Sequence, residues 1–514
     1  MPTTLAFKDI LDLPKWRPLA PAPAASTAGS SLAFDMRGGG KAHPLHYLLS
    51  NATTFSAYSP QNDEWIGLSS PALAGAFGAG ASSIVHPTQG PRGTLAAGGT
   101  TTSVVLSTAL PAAVAVNQLA NRGDGVGFTL RVIGNAAGSS GKVEERLIIA
   151  NTAGTTPTLT LDAALTFTPA VGDTYEILSG RVFLLSAGTL AAGIWKHYDI
   201  ATNSYSGNLS TTNLPATIGG DSSLVALSEG YVPNDALPGA GFLGVLTATT
   251  GATSTTIVQG TASAPALAAN EYRNFQIRIT EDTATPTAVG QRRRIASHTA
   301  GASPTWTVAS AWTVTPSATA KFVIENDDDK LLLFTNQTGI YTYNITANSW
   351  DTSSFAAAAN AGGAGIFCEH SFGIGRDPSG NARHSFIYRI RGGAANIIDL
   401  FDLAGGATGV WSADIAYGNK GLTTFTTGTC GAHDPLANGG RYLYLSINGT
   451  QRFARFDLRN RVLEPWTYLR YPQGAALVGA KLAMSFFVDG STKLPFLHAL
   501  INTGTLLFSI AAQR

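Results

Sequence analysis

The apolar residues of this chain fall into short runs and period-two alternations separated by Gly, Pro, Asn, Asp and Ser, the pattern of many short strands joined by turns. One segment shows it best. Residues 330–335 (Lys-Leu-Leu-Leu-Phe-Thr) and 340–345 (Ile-Tyr-Thr-Tyr-Asn-Ile) flank Asn336-Gln337-Thr338-Gly339, which predicts a hairpin with Gly339 supplying a positive φ. Alternation places Tyr341 and Tyr343 on one face of the second strand, Thr342 and Asn344 on the other. A short outer strand then opens at Trp350.

Searching for self-similarity decides how the rest is organised. The same design recurs as Tyr58-Ser59-Pro60 with Trp65, Tyr198-Asp199-Ile200 with Tyr205, Tyr343-Asn344-Ile345 with Trp350, Phe401-Asp402-Leu403 with Trp411, and Phe456-Asp457-Leu458 with Trp466. The two aromatics are seven positions apart in the first three copies and ten in the last two, one connection with a short insertion. A sixth copy, residues 495–501 and 505–510 around Asn502-Thr503-Gly504, lacks an outer aromatic. Leu13-Pro14-Lys15-Trp16-Arg17-Pro18-Leu19 resembles the outer strands 64–68 and 465–469, so an N-terminal strand is expected to complete the last unit, with residues 20–31 as linker.

Between the first and second strands of units two and three the short loop is replaced by a long insertion. The insertions are themselves repeats: residues 128–177 align without gaps on 275–324, matching Phe128 with Phe275, Arg131 with Arg278, Arg146 with Arg293, Gly154 with Gly301, Pro157 with Pro304, Pro169 with Pro316 and Ile177 with Ile324. Thr158–Leu161 and Thr305–Val308 alternate as strands, so each insertion reads as a small β-domain.

The aromatic-Asp-x5-Trp arrangement resembles the kelch blade of β-propellers, with Gly219-Gly220 and Gly362-Gly363 near the place where kelch repeats carry paired glycines. The insertion, with Ala311-Trp312-Thr313-Val314-Thr315-Pro316 and Ala164-Leu165-Thr166-Phe167-Thr168-Pro169, resembles a module of phage virion proteins, as do residues 13–19, 63–65 and 90–94. Together the resemblances imply a kelch-like propeller in virion assembly, and they supply no catalytic residues.

Charged residues are only 13% of the 514 and the net charge is +1, which suits a protein packed against neighbours and does not suit a nucleic-acid reader needing a basic surplus. The two cysteines, Cys368 and Cys430, are too few for a disulfide scaffold. No signal-peptide pattern and no apolar run near the ~20 residues of a membrane span occur, so synthesis and residence in the host cytoplasm until assembly or lysis are expected. The longest soft stretch, residues 354–366, reads as a loop.

Cys368-Glu369-His370 and Cys430-Gly431-Ala432-His433 fall on expected inner strands of adjacent units, with His86 near the equivalent place in unit two; whether they converge the sequence leaves open. Metal ligation would need four convergent ligands, and a buried thiol and isolated histidines are the favoured reading. Residues 325–329 (Glu-Asn-Asp-Asp-Asp) lack the spacing of a calcium loop and read as a solvated turn. Residues 291–294 (Gln-Arg-Arg-Arg) read as a solvated strand. Asp35, Glu229, Glu369 and Asp489 are scattered carboxylates that could face a channel, without the spacing of an acid–base pair. No nucleophile elbow, zincin or phosphate-loop motif occurs.

The expected fold is therefore all-β: a six-bladed kelch-like propeller closed by an N-terminal strand, with two homologous small β-domains inserted into adjacent blades. The expected division is residues 1–30 (closing strand and linker), 31–94 (blade 1 and the start of blade 2), 95–179 (first insertion), 180–240 (blades 2–3), 241–326 (second insertion) and 327–514 (blades 3–6). The expected role is a non-enzymatic structural component of a tailed-phage virion at the head–tail junction, tail or capsid surface. It would have no cofactor, metal or catalytic residue. Its partners would be other virion proteins and copies of itself, with no sequence-specific nucleic acid and no membrane. The competing readings are a host-surface glycan or receptor-binding tail protein and a propeller glycoside hydrolase or lyase.

Overall fold

A computed structural model of the chain describes residues 16–27, 29–34, 45–51, 53–60, 62–74, 81–121, 127–218, 222–227, 242–352, 354–363, 367–376, 382–393, 397–412, 415–416, 425, 429–434, 441–447, 452–458, 460–470, 481–489, 492–500, 505 and 507–511. Among them the protein is all-β, its one helix being the 3-10 turn Pro286–Ala288. Six antiparallel sheets follow the repeat, each with a four-strand path. They are Ser31–Phe34, His46–Leu49, Phe55–Ser59 and Glu64–Gly67; Ser82–His86, Arg181–Leu185, Trp195–Asp199 and Ser204–Tyr205; and Ser222–Leu227, Lys330–Thr335, Ile340–Asn344 and Ser349–Asp351. Then come Phe367–Arg376, Ala382–Ile390, Ile397–Asp402 and Val410–Trp411; Cys430–Asp434, Tyr442–Ser446, Arg452–Asp457 and Val462–Arg470; and Lys481–Asp489, Thr492–Leu500, Leu507–Ala511 and Arg17–Pro18.

The last sheet takes its fourth strand from the N-terminal segment, with Arg17 opposite Ser509 and Pro18 opposite Phe508. The proline costs the ladder nothing there, because an edge strand has an N–H side with no partner to lose. The segment continues along the same strand, Leu19 N–H donating to the Leu507 carbonyl at 2.8 Å.

Uninterrupted apolar runs such as Leu331-Leu332-Leu333-Phe334 mean that both faces of the sheet are buried. The packing shows against what. Leu331 and Leu333 join Phe183, Leu185 and Trp195 of the second unit, whereas Leu332 and Phe334 join Ile387 and Phe401 of the fourth. The second unit divides likewise, Val182 and Leu184 packing with Tyr47 and Phe55 of the first. Units four and five share a core around Tyr388, Leu400, Leu443 and Phe456, and units five and six share one around Tyr444, Phe453, Leu482 and Leu497. A sixth core joins Leu500 and Leu507 of the last unit to Leu48 and Tyr58 of the first. Thr342, on the face opposite Tyr341 and Tyr343, is accordingly buried.

The spacing of seven between paired aromatics has a local cause. Tyr58 lies opposite Trp65, Tyr198 opposite Tyr205 and Tyr343 opposite Trp350. In each turn a residue with left-handed φ, Asp63 (51°), Asn203 (50°) or Asn348 (48°), accepts the tyrosine hydroxyl at 2.7–2.8 Å. Asp and Asn tolerate that conformation better than other side chains. In the fourth unit the turn is longer and Gly409 (φ 73°) takes the position; a Cβ there would sit 2.2 Å from the Phe401 ring, so glycine is required. The fifth unit corrects the sequence reading: Phe456 lies opposite Leu463, not Trp466, after Arg461 at φ 56°. Its spacing is seven too, because the turn sets the register and not the next tryptophan. The φ of Gly339 is not positive, a second correction.

The outer aromatics also tie units together. Trp65 Nε1 donates to the Ala20 carbonyl, Tyr205 Oη to Ser69, Trp350 Nε1 to Ser210 and Trp411 Nε1 to Ala356, at 2.7–2.9 Å. Each acceptor lies in the segment arriving from the preceding unit. Gly362 and Gly363 donate their N–H groups to the Gln337 and Asn336 carbonyls of the preceding hairpin turn. Gly219 and Gly220 lie outside the described residues, and residues 354–363 carry no regular element.

The two insertions form matching six-stranded sheets. The first runs Arg92–Thr94, Thr174–Ile177, Thr129–Ile133, Val143–Asn151, Thr158–Leu161, Ser103–Val105. The second runs Leu246–Thr247, Lys321–Glu325, Gln276–Glu281, Arg292–His298, Thr305–Val308, Thr256–Val258. Each curls until its edges meet, at the Leu95–Leu106 and Ala248–Gln259 bridges, enclosing its own core around Leu130, Ile148 and Tyr175 or Ile277, Ile295 and Trp306. Arg92–Thr94, expected in a blade, belongs to the first of these sheets. Both modules leave from the same end of their units: His86 and Leu227 terminate the strands they interrupt, and the His86 ring Nε2 lies 2.9 Å from the Leu227 carbonyl oxygen.

Candidate functional site

The densest chemistry among the described residues lies where the two modules meet each other and the units that carry them. Cross-strand pairing in the first module sets Arg131 between Glu145 and Glu176. Its guanidinium, with no exposed surface, donates to both carboxylates at 2.8–2.9 Å. In the second module Arg278 occupies the matching position and donates to Glu325 at 2.9 Å. Arg292 crosses between the modules as a bidentate fork, Nη1 to Glu176 Oε1 at 2.7 Å and Nη2 to Oε2 at 2.9 Å. Asp328, fully buried, receives Arg92 at 3.2 Å and Gln276 at 2.8 Å, while Gln89 donates to its carbonyl. Four guanidiniums thus face four carboxylates, which offsets the cost of burying each ion.

Burial opposes ionisation of Glu176, and Arg292, Arg92 and Arg131 overcome it, holding its carboxyl well below the usual range. A carboxylate so held neither gives nor takes a proton near neutrality. The arrangement is a clamp.

Asp327 behaves oppositely. Burial pushes its carboxyl up to about 6, the nearby Lys330 only partly countering it and Asp328 and Asp329 adding to it. An acid whose folded pKa is raised adds most stability while protonated in both states and loses it as pH rises towards the folded value. Asp327→Asn is therefore expected to leave stability unchanged near pH 4 and to raise it by about 2–3 kcal/mol at pH 7. Urea unfolding at both pH values checks this.

The acidic run is thus not the solvated turn of the sequence reading, whereas residues 291–294 are half-buried, with Arg292 drawn into the clamp. Glu325, Asn326 and Asp328 are buried, and Arg292 is spent on Glu176. Arg293 lies over the Trp312 ring and donates to the Ala311 carbonyl, and Arg294 donates to Asn274. The matched Arg146 makes the same bond, to Ala164. Sequence matching of Arg131 with Arg278 and Arg146 with Arg293 was the available signal; the Arg292–Glu176 and Arg92–Asp328 pairs had none, because their partners come from distant parts of the chain.

Of the remaining candidates, Cys430, His433 and His86 are buried, and Cys430 is in no disulfide. The side chains of Cys368, Glu369, His370 and Asp489, and Asp35 and Glu229 altogether, lie outside the described residues. Among the described residues no group of three or more His, Cys, Asp or Glu is placed to hold a metal ion.

No protein-family model matches the chain. No curated protein matches it in sequence. Among solved structures, the WD40 domain of coronin from Toxoplasma gondii is similar over 97% of this chain and 86% of that one, at 9% identity and a TM-score of 0.31. A likeness of that size says nothing of activity.

Proposed function

We propose that this chain is a non-enzymatic structural component of a tailed-phage virion, built as a closed six-bladed β-propeller that carries two barrel-like modules on one face. The propeller reading is supported by the six shared cores, each between consecutive units and the last between unit six and unit one. First strands of successive units also neighbour one another, and Lys481–Asp489 neighbours Ser31–Phe34. The N-terminal strand in the last sheet is the closure that such a ring needs.

The observation that carries the role is the clamp. Two modules leave the same end of the ring and are joined by buried ion pairs, a rigid composite surface of the kind a packing partner needs and not a hinge. The sparse charge of the chain lowers the desolvation cost of covering such a surface. The phage assignment rests on the resemblance of the inserted module to those of virion proteins. The partners are other virion proteins and further copies of this chain, across contacts of at least about 1,000 Å².

The test is mass spectrometry and cryo-EM of purified particles, beside a turnover screen on polysaccharides. Fixed copies in the particle with the module face covered are expected. Absence from the particle, or polysaccharide turnover abolished by one carboxylate substitution, overturns the reading.

A further inference from the structure

The two modules touch through equivalent parts of their folds. In the first, residues 133–143 connect the strands Thr129–Ile133 and Val143–Asn151; the gapless alignment places residues 280–290 at the same positions in the second. These two hairpins face each other. Lys142 and Glu281 form an antiparallel bridge, and Asp282 N–H donates to the Gly141 carbonyl at 2.8 Å. Asn135 Nδ2 donates to the Val289 carbonyl at 3.4 Å.

Asn135 and Asp282 are matched positions, as are Lys142 and Val289. Contact therefore runs from position 135 of one module to position 142 of the other, and from positions 141 and 142 back to 281 and 282. That reciprocity, within one residue, is the mark of an isologous pair related by a local two-fold axis. Ile133 belongs to the second module's core, and the contact is close: a Cβ on Gly290 would lie 3.0 Å from the Ile133 side chain, and one on Gly141 would lie 2.3 Å from the Asp282 carbonyl oxygen.

The charges break the symmetry. Glu176 of the first module meets Arg292 of the second, whose matched position in the first is Glu145; the position matching Glu176 in the second is Val323. Two copies of the first module would set Glu176 against Glu145 twice. Two copies of the second would set Arg292 against a valine twice, with no carboxylate. Only the mixed pair forms the bidentate bond, and rejecting the like pairs is how a self-associating surface acquires choice.

We propose that the inserted module is a self-pairing unit whose hairpin surface takes a second module of the same kind, and that Glu176 and Arg292 key this chain's first copy to its second. Neither the phage assignment nor the propeller closure is needed for this.

The test uses the full chain. Lys142→Cys with Glu281→Cys places two thiols on bridged positions, and mild oxidation is expected to join them within the chain. Adding Arg292→Glu, which gives the second module the first one's charge, is expected to slow that joining about ten-fold or more, and Arg292→Lys to restore most of it. Hydrogen exchange at residues 133–143 and 280–290 should rise together in the Arg292→Glu chain, with exchange in the six units unchanged. Unchanged joining, or deprotection of one hairpin alone, overturns the proposal. If Arg292→Glu does not fold, Arg292→Gln replaces it under the same criteria.

Discussion

A chain lacking residues up to Leu19 is expected to lose cooperative unfolding and to associate through the exposed edge of Leu507–Ala511. The segment contributes the fourth strand of the last sheet, and Leu19 N–H bonds the Leu507 carbonyl. Beyond the cut, Ala20 N–H bonds Asp63 and its carbonyl receives the Trp65 indole, while Ala22 N–H bonds the Thr505 carbonyl at 2.5 Å. With nothing upstream to hold them, these three go as well. At about 0.5–1.5 kcal/mol each, the four hydrogen bonds sum to about 2–6 kcal/mol, a large part of a domain's net stability. Leu19, Ala20 and Ala22 also cover the small core around Leu500, Leu507 and Tyr58, the seam between unit six and unit one. An opened edge of paired strands is a template for further strands, so loss of stability and aggregation should appear together. Calorimetry and light scattering check it; a truncated chain with its full melting temperature and no association would show that the seam holds without the strand.

Glu176→Gln is expected to destabilise the protein by about 3–5 kcal/mol at neutral pH, the second large effect. The glutamine keeps the shape and removes the charge that faces Arg131, Arg292 and Arg92. Arg131 has no exposed surface and keeps Glu145; Arg292 keeps Asp328, at 3.8 Å. The pH dependence carries the opposite sign to that of Asp327. A carboxyl whose folded pKa is depressed contributes its stability above the unfolded value, near 4.3, and loses it as pH falls through the folded value. The difference between wild type and Glu176→Gln should therefore be full at pH 7 and shrink below about pH 4. Denaturant midpoints across that range measure it, and a difference independent of pH would mean that shape and not charge is at stake.

What the sequence determined about this protein is local. Period-two alternation gave the strands, and the aromatic spacing marked the turns, because a left-handed Asp or Asn five residues after a tyrosine both turns the chain and accepts the hydroxyl. The gapless match between insertions gave the modules, since each encloses its own core. The match of residues 13–19 to the outer strands named the segment that joins the last sheet. Tertiary structure decided the rest. Which neighbour each face of a sheet meets depends on stacking, and the face that carries Thr342 is buried like the other. Trp466 looked like an outer aromatic by type, but register is fixed by the turn at Arg461 and put Leu463 there. The charge runs at 291–294 and 325–329 looked solvated because charges in isolation belong in water; Asp328 is buried and Arg292 is half-buried because each meets a counter-charge from a module more than a hundred residues away in the chain. A pattern along the chain records neighbours in sequence, and an ion pair between domains leaves no such record.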